Sequence, residues 1–252
     1  MKNKFAAQLF TLRNELEQDF PGVLRELKKM GWAGVQISGL RGYKAEEIAA
    51  VLKETGLGTA GLHIGLDRFR GELDTVLEEA RLFGTKDLIL PYIPVRSEEG
   101  FRAIRSEMNE IARKLAPLGY RISYHNHAWE FDTVIEGKSA LEYLLEPSAD
   151  NALFAEIDVF WVKKGGKDPV SFIAPYANRM PIIHLKDMTN DERQTFAEIG
   201  TGIIDFAPIL TWGERNGIEW YCVEQDECPG KPMDSLQISL NNLNLLADRL
   251  AK

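Results

Sequence analysis

Short apolar runs of strand length alternate with amphipathic stretches of helix length from one end of the chain to the other. The strand-like runs fall at 4–9, 33–37, 58–63, 86–90, 120–125, 152–158, 180–185 and 218–224. Between them apolar residues recur at helical spacing: Ile48, Val51 and Leu52 in 44–55; Ile104, Met108, Ile111 and Leu115 in 101–116; Leu236, Leu240, Leu243 and Leu246 in 236–250. Gly31, Gly56, Gly84, Gly119 and Gly217 stand where predicted helices end, a place that favours a left-handed turn. Eight such alternations predict parallel strands joined by crossover helices, hence an α/β fold closed as a single (β/α)8 barrel over residues 1–252. No Gly-x-Gly-x-x-Gly follows the first strand, which removes the usual dinucleotide-binding alternative.

Period-two alternation sharpens this picture, because residues two apart on a strand share a face. Taking the polar residue at each strand end as inward pairs Ala6 with Gln8, Gly34 with Gln36, Gly61 with His63, and Ser123 with His125. It likewise pairs Glu156 with Asp158, Ile182 with His184, and Cys222 with Glu224. The complementary face is mostly aliphatic, with Val35, Ile37, Ile122, Ile157, Ile183, Leu185 and Val223, and suits the layer beneath the helices. Polar strand ends therefore converge on one central cavity, at the face where barrels of this type carry their chemistry.

Composition narrows the function. With 30 basic against 38 acidic residues the surface as a whole repels polyanions, so nucleic acid is not expected as a partner. No stretch reaches the ~18 apolar residues of a membrane span, and the first residues lack the pattern of a secretory signal. A cytoplasmic protein with no membrane partner is expected. The two cysteines, Cys222 and Cys228, build no disulfide framework. A homo-oligomer is compatible with the chain, but no segment marks an interface.

Carboxylates and imidazoles crowded into one cavity repel and destabilise unless a positive charge sits among them. Asp158, His184 and Glu224, with either His125 or Glu130 as the fourth member, supply a mixed oxygen and nitrogen set for a divalent cation. That mixture suits Mn²⁺, with Co²⁺, Zn²⁺, Fe²⁺ and Mg²⁺ as alternatives. Glu224, His125 and His127 are candidate proton carriers, and Lys186 shares the inward parity of His184, as either a catalytic donor or a partner of Glu156. Gln8 and His63 end strands on the cavity face as candidate contacts for substrate hydroxyls. Arg13 reads as a solvated loop residue, the 163–167 Lys-Lys-Gly-Gly-Lys run as a solvated loop ahead of a phosphate contact, Gly200 and Gly202 as tight-turn glycines ahead of a phosphate site, and Cys222, beneath the ligand layer, as packing.

The motifs QLFTLRN (8–14), GLHIG (61–65), YHNHAWEF (124–131), EIDVFWVKKGGKDP (156–169), HLKD (184–187), EIGTGIIDF (198–206) and VEQDE (223–227) carry a resemblance along essentially the whole chain. The chain resembles the sugar phosphate isomerases/epimerases of the xylose-isomerase-like TIM barrel superfamily, in particular the inosose dehydratase and keto-sugar branch. That resemblance implies that Asp158, His184 and Glu224 match three of four metal positions. The fourth departs, since a glutamate that ligates and shuttles protons in the epimerases aligns with His125, leaving Glu130 to swing in. Trp161 stands where several epimerases have a substrate-contacting histidine, and either stacks on a sugar or packs. The implied activity is a metal-dependent isomerase or epimerase acting through an enediolate on a free or phosphorylated sugar, keto-sugar or inosose. The alternatives are a dehydratase using the same site, an apurinic-site endonuclease, and a sugar-binding barrel without catalysis.

Overall fold

The computed structural model describes residues 1–251. Eight parallel strands form a closed barrel: β1 (Phe5–Gln8), β2 (Gly34–Ile37), β3 (Gly58–His63), β4 (Asp87–Leu90), β5 (Arg121–His125), β6 (Phe154–Asp158), β7 (Ile182–Leu185) and β8 (Trp220–Val223). The order around the barrel is β1-β8-β7-β6-β5-β4-β3-β2, so each strand pairs with its neighbours in sequence and β1 closes on β8. Every strand-like run of the sequence becomes one of these strands, and the predicted helices appear as Ala45–Thr55, Glu98–Leu115 and Pro232–Leu250.

The alternation of side chains sorts the core into two layers. Outward positions such as Phe5, Val35, Ile122, Ile157, Ile183 and Val223 pack under the helices in one large cluster. Burying each such aliphatic side chain contributes roughly 1.5–3 kcal/mol before chain entropy is subtracted. Inside the barrel a small plug of Ala6, Ala60, Ile89, Ile182 and Cys222 rests on Trp220. Gly34 and Gly58 leave room for that indole: a Cβ on either would stand 2.7 Å from its ring. Above the plug the interior turns polar, with Gln8, Gln36, Glu156, Asp158 and His184 all wholly buried.

A bulge in β3 modifies the parity. The pairing with β2 shifts by one residue between Val35 and Ile37. Ala60 thereby joins Gly61 on the inner side, and Gly61 adopts φ +126° with Ile89 Cδ1 2.6 Å from where a Cβ would be. His63 keeps its inward place because the extra residue is absorbed before it.

Two short hairpins, Val134–Ile135 with Lys138–Ser139 and Asp187–Met188 with Phe196–Ala197, occupy segments where the sequence pattern predicts helix or loop. The first turns on Glu136 and Gly137, both at positive φ, a two-residue turn that matches strand twist. No helix among the described residues is long and apolar enough to cross a membrane.

Candidate metal centre

Strand register brings the polar ends together. Asp158 pairs with His184, His184 with Cys222, and His125 with Glu156, so ligand-type side chains from β5, β6 and β7 project in adjacent layers. Glu224 follows directly on β8. Among the described residues two groups of ligand atoms each lie within 4.8 Å of one another: His125, Asp158, His184 and Glu224, and His63, His125, Glu156 and His184.

Local structure holds each member. Asp158 is the N-cap of the helix Val159–Lys164: its Oδ1 accepts from Phe160 N at 2.9 Å and Trp161 N at 3.2 Å. Its backbone N–H donates to Asn126 Oδ1 at 2.9 Å, which ties the loop after β5 to β6. Asp158 Oδ2 is buried without a hydrogen-bond partner. Lys186 Nζ lies 3.2 Å from that oxygen, off the hydrogen-bond direction, and 2.8 Å from both Glu224 Oε2 and Asp226 Oδ1.

The donor chemistry fits a divalent cation. Two buried carboxylates, Asp158 and Glu224, and the partly exposed Asp226 surround a single ammonium, Glu156 lies buried close by, and one Asp158 oxygen is orphaned. A lone ammonium leaves this cluster strongly negative, at a cost a doubly charged ion would offset. Burial raises the Asp158 carboxyl to about 6 despite Lys186 and His184. Burial also lowers the rings of His125 and His127, with their cationic neighbours, to about 3 and about 2, so both are neutral. For His184 burial is outweighed by Glu156 and Glu224, which raise its ring.

Glu130 does not join. Its carboxylate accepts from the Tyr124 hydroxyl at 2.5 Å and from His127 N at 2.9 Å, and it belongs to neither ligand group. Of the two candidates for the fourth position, the structure brings in His125. Short tethers explain this: a carboxylate already bound to its own loop stays there while imidazole fills the strand end. Burial raises Glu130 to about 7 against the pull of Tyr124. An acid whose pKa is raised by folding contributes stability that is complete below about 4.5 and lost as pH rises through about 7. Thermal unfolding between about pH 5 and pH 8 should therefore show wild type losing ground to Glu130→Gln as pH rises; parallel curves would mean that this carboxyl does not titrate there.

A cavity of about 220 Å³ opens over these residues, lined by Phe10, Ser38, His63, Pro91, Tyr92, His125, His127, Lys186, Glu224 and Asp226. Aromatic rings frame its mouth. His127 stacks on Trp129 at 4.1 Å, with the Arg96 guanidinium 4.4 Å over that indole, and Trp161 lies 5.4 Å from His127. Of the sequence candidates, His63, His125, His127, Lys186 and Glu224 line this space. Gln8 does not: it is fully buried, and its amide serves Phe10 N and Gln36. Trp161 packs against Phe160 and Phe196 beside the cavity.

The remaining loop residues have partners of their own. Arg13 donates to the carbonyls of Phe10 and Asp226, clamping the first loop to the last. Lys164 donates to the carbonyls of Arg193 and Gln194. The N–H groups of Gly200 and Gly202 donate to the Asp187 carboxylate, so they are spent inside the loop. Lys186 pairs with Asp158, Glu224 and Asp226, whereas Glu156 meets His63 and Gln36. Asp226 and Asp187 escaped the reading of the sequence, although one lies two residues past Glu224 and the other beside Lys186.

The fold is a (β/α)8 barrel that carries two clusters of side chains able to chelate a divalent metal ion. The sequence model of the family described as xylose isomerase-like TIM barrel matches residues 24–243, and the chain belongs to that family. Among curated proteins it is similar to the inosose dehydratase of Clostridium beijerinckii, 24% identical over 177 residues, covering 64% of this chain and 54% of that protein. It is also similar to the inosose dehydratase of Geobacillus kaustophilus, 26% identical over 251 residues, covering 82% of this chain and 80% of that protein. The match thus spans about half the length of the first relative. A sugar phosphate isomerase/epimerase structure from Parabacteroides distasonis shares the fold at TM-score 0.78 and 22% identity, over 100% of this chain and 96% of that one.

Proposed function

We propose that the chain is a divalent-metal-dependent dehydratase of an inosose or related keto-sugar. The observation that carries this reading is the asymmetry of the acid/base groups. A two-carboxylate proton shuttle needs glutamates on opposite sides of the substrate, and here His125 holds one side while Glu130 is bound to Tyr124 and His127. Elimination needs one group that accepts a proton from carbon and a different one that donates to the departing oxygen. The inosose dehydratases among the relatives support the same choice. Isomerisation or epimerisation, first in the expectation from sequence, shares the ligand set and stands second because it favours the missing carboxylate.

His125, Asp158, His184 and Glu224 would hold the ion, which when bound would polarise a substrate carbonyl and acidify the neighbouring C–H. Mn²⁺ best suits this donor set. His127 lines the cavity and its Nδ1 makes no hydrogen bond, so this ring is the group placed to take the proton from carbon. Lys186 Nζ, the one ammonium lining the cavity, donates a proton to the hydroxyl that leaves as water. Burial disfavours the charge on that amine, and Asp158, Glu224 and Asp226 outweigh it and keep the ammonium protonated. His63 contacts substrate hydroxyls, and Trp161 supports the wall behind His127.

Candidate inososes and keto-sugars incubated with enzyme and Mn²⁺ in D₂O test the reading. Loss of water giving a dehydrated diketone is the expected result. Solvent deuterium in an isomer or epimer that keeps its full complement of hydroxyls would overturn it.

A further inference from the structure

The two ligand groups overlap in His125 and His184, and each ring faces the groups with different nitrogens. His184 Nδ1 lies 3.1 Å from Glu224 Oε2, whereas its Nε2 lies 3.2 Å from Glu156 Oε2. His125 Nε2 is 4.0 Å from Asp158 Oδ2, and its Nδ1 is 3.2 Å from Glu156 Oε2. A neutral imidazole offers a lone pair at only one nitrogen. The position of the His184 proton therefore decides which group can take an ion.

That position follows from a backbone amide. Phe10 N donates to Gln8 Oε1 at 3.1 Å, which turns Gln8 Nε2 toward Gln36 Oε1, where it donates at 2.6 Å. Gln36 Oε1 is thus the oxygen end of its amide, and Gln36 Nε2 donates to Glu156 Oε1 at 2.5 Å. His184 Nε2 lies 2.6 Å from the same Gln36 Oε1, an atom with no hydrogen to give. Nε2 must then carry the proton. Gln8, Gln36, Glu156 and His184 are all 0% exposed, so water cannot take over any of these contacts.

We infer that Gln36, braced by Gln8, is a positioning residue that holds His184 with its proton on Nε2, presents Nδ1 to the Asp158–Glu224 side, and closes the lower group to a second ion. Glu156 fits this assignment. Its Oε1 accepts from Gln36 and its Oε2 from His63 Nε2 at 2.7 Å, so it is a hydrogen-bond acceptor behind the ligands. Carboxylates and amides behind metal-bound histidines commonly set ring orientation, and their loss weakens metal binding about 10–100-fold.

The inference rests on the metal-dependent reading but not on the identity of the substrate, so its test uses no substrate. Metal-stripped intact protein would be titrated with Zn²⁺ by calorimetry, and ¹⁵N-histidine spectra of the Zn²⁺ form would report the protonated nitrogen of each ring. One ion per chain and a His184 ring protonated at Nε2 are expected for wild type. Gln36→Met should bind Zn²⁺ about 10–100-fold more weakly and lose the single tautomer. Should that variant not fold, Gln8→Leu, which removes only the brace, should show a smaller loss with mixed tautomers. Two ions per chain, a proton on His184 Nδ1, or unchanged affinity and tautomer in the folded variants would overturn the inference. No uptake by wild type would strike the metal reading itself, whereas a failed dehydration assay beside one tightly held ion would strike only the reaction.

Discussion

Glu224→Gln is expected to reduce dehydration by about 10³-fold or more, the size of losing several kcal/mol of metal-assisted stabilisation, while the barrel remains folded. Glu224 Oε2 stands 3.1 Å from His184 Nδ1 and 2.8 Å from Lys186 Nζ, so one oxygen serves both the ligand set and the ammonium. An amide is nearly the same size but carries no charge, and divalent ions bind it far more weakly than a carboxylate. The fold should tolerate the change because Lys186 keeps Asp158 and Asp226 as counterions. His184→Ala should give a comparable loss by removing the imidazole whose Nδ1 faces Glu224 Oε2. Turnover and calorimetric metal affinity, with circular dichroism as the check on folding, would decide it. A variant with wild-type rate and affinity would remove that residue from the centre.

Asp187→Asn should destabilise the protein by about 2–4 kcal/mol, read from the urea midpoint. The carboxylate is wholly buried and accepts four backbone N–H groups: Met188 N and Ile204 N at Oδ1, Gly200 N and Gly202 N at Oδ2. An asparagine turns one of those oxygens into an NH₂ that faces N–H donors, leaving buried polar groups unpaired. No relaxed geometry is at hand, since a Cβ at Gly202 would lie 2.2 Å from Met188 O and the loop is already packed to contact. The same loop follows the hairpin that carries Phe196 to within 5.8 Å of Lys186 Nζ, so loosening it should also raise KM. A midpoint within error of wild type would mean that the carboxylate is dispensable to this loop.

The barrel was legible because its signals are local. Strand periodicity, helical spacing and glycines at helix ends each depend on a few neighbouring residues, and Gly31, Gly56, Gly84, Gly119 and Gly217 all take the positive φ that their positions suggested. Inward parity at the strand ends was equally local, and it marked Asp158, His184 and Glu224 before any coordinates. It failed where an extra residue entered: the bulge in β3 put Ala60 as well as Gly61 inside, and no short-range pattern announces a bulge.

The choice between His125 and Glu130 was out of reach for the same reason in reverse. His125 ends β5 and Glu130 lies five residues on in the loop that follows, and what separates them is a hydroxyl from Tyr124 and a backbone amide from His127 that bind the carboxylate first. Asp226 joined the site through Lys186, forty residues away in sequence, and no pattern within one strand could reveal that pairing. The chain alone therefore specifies which faces are polar and which strand ends meet, because both follow from backbone period and side-chain type. Which carboxylate turns inward, which nitrogen of His184 is bare and which ammonium balances the charge are settled by hydrogen bonds between strands, and those exist only once the barrel has closed.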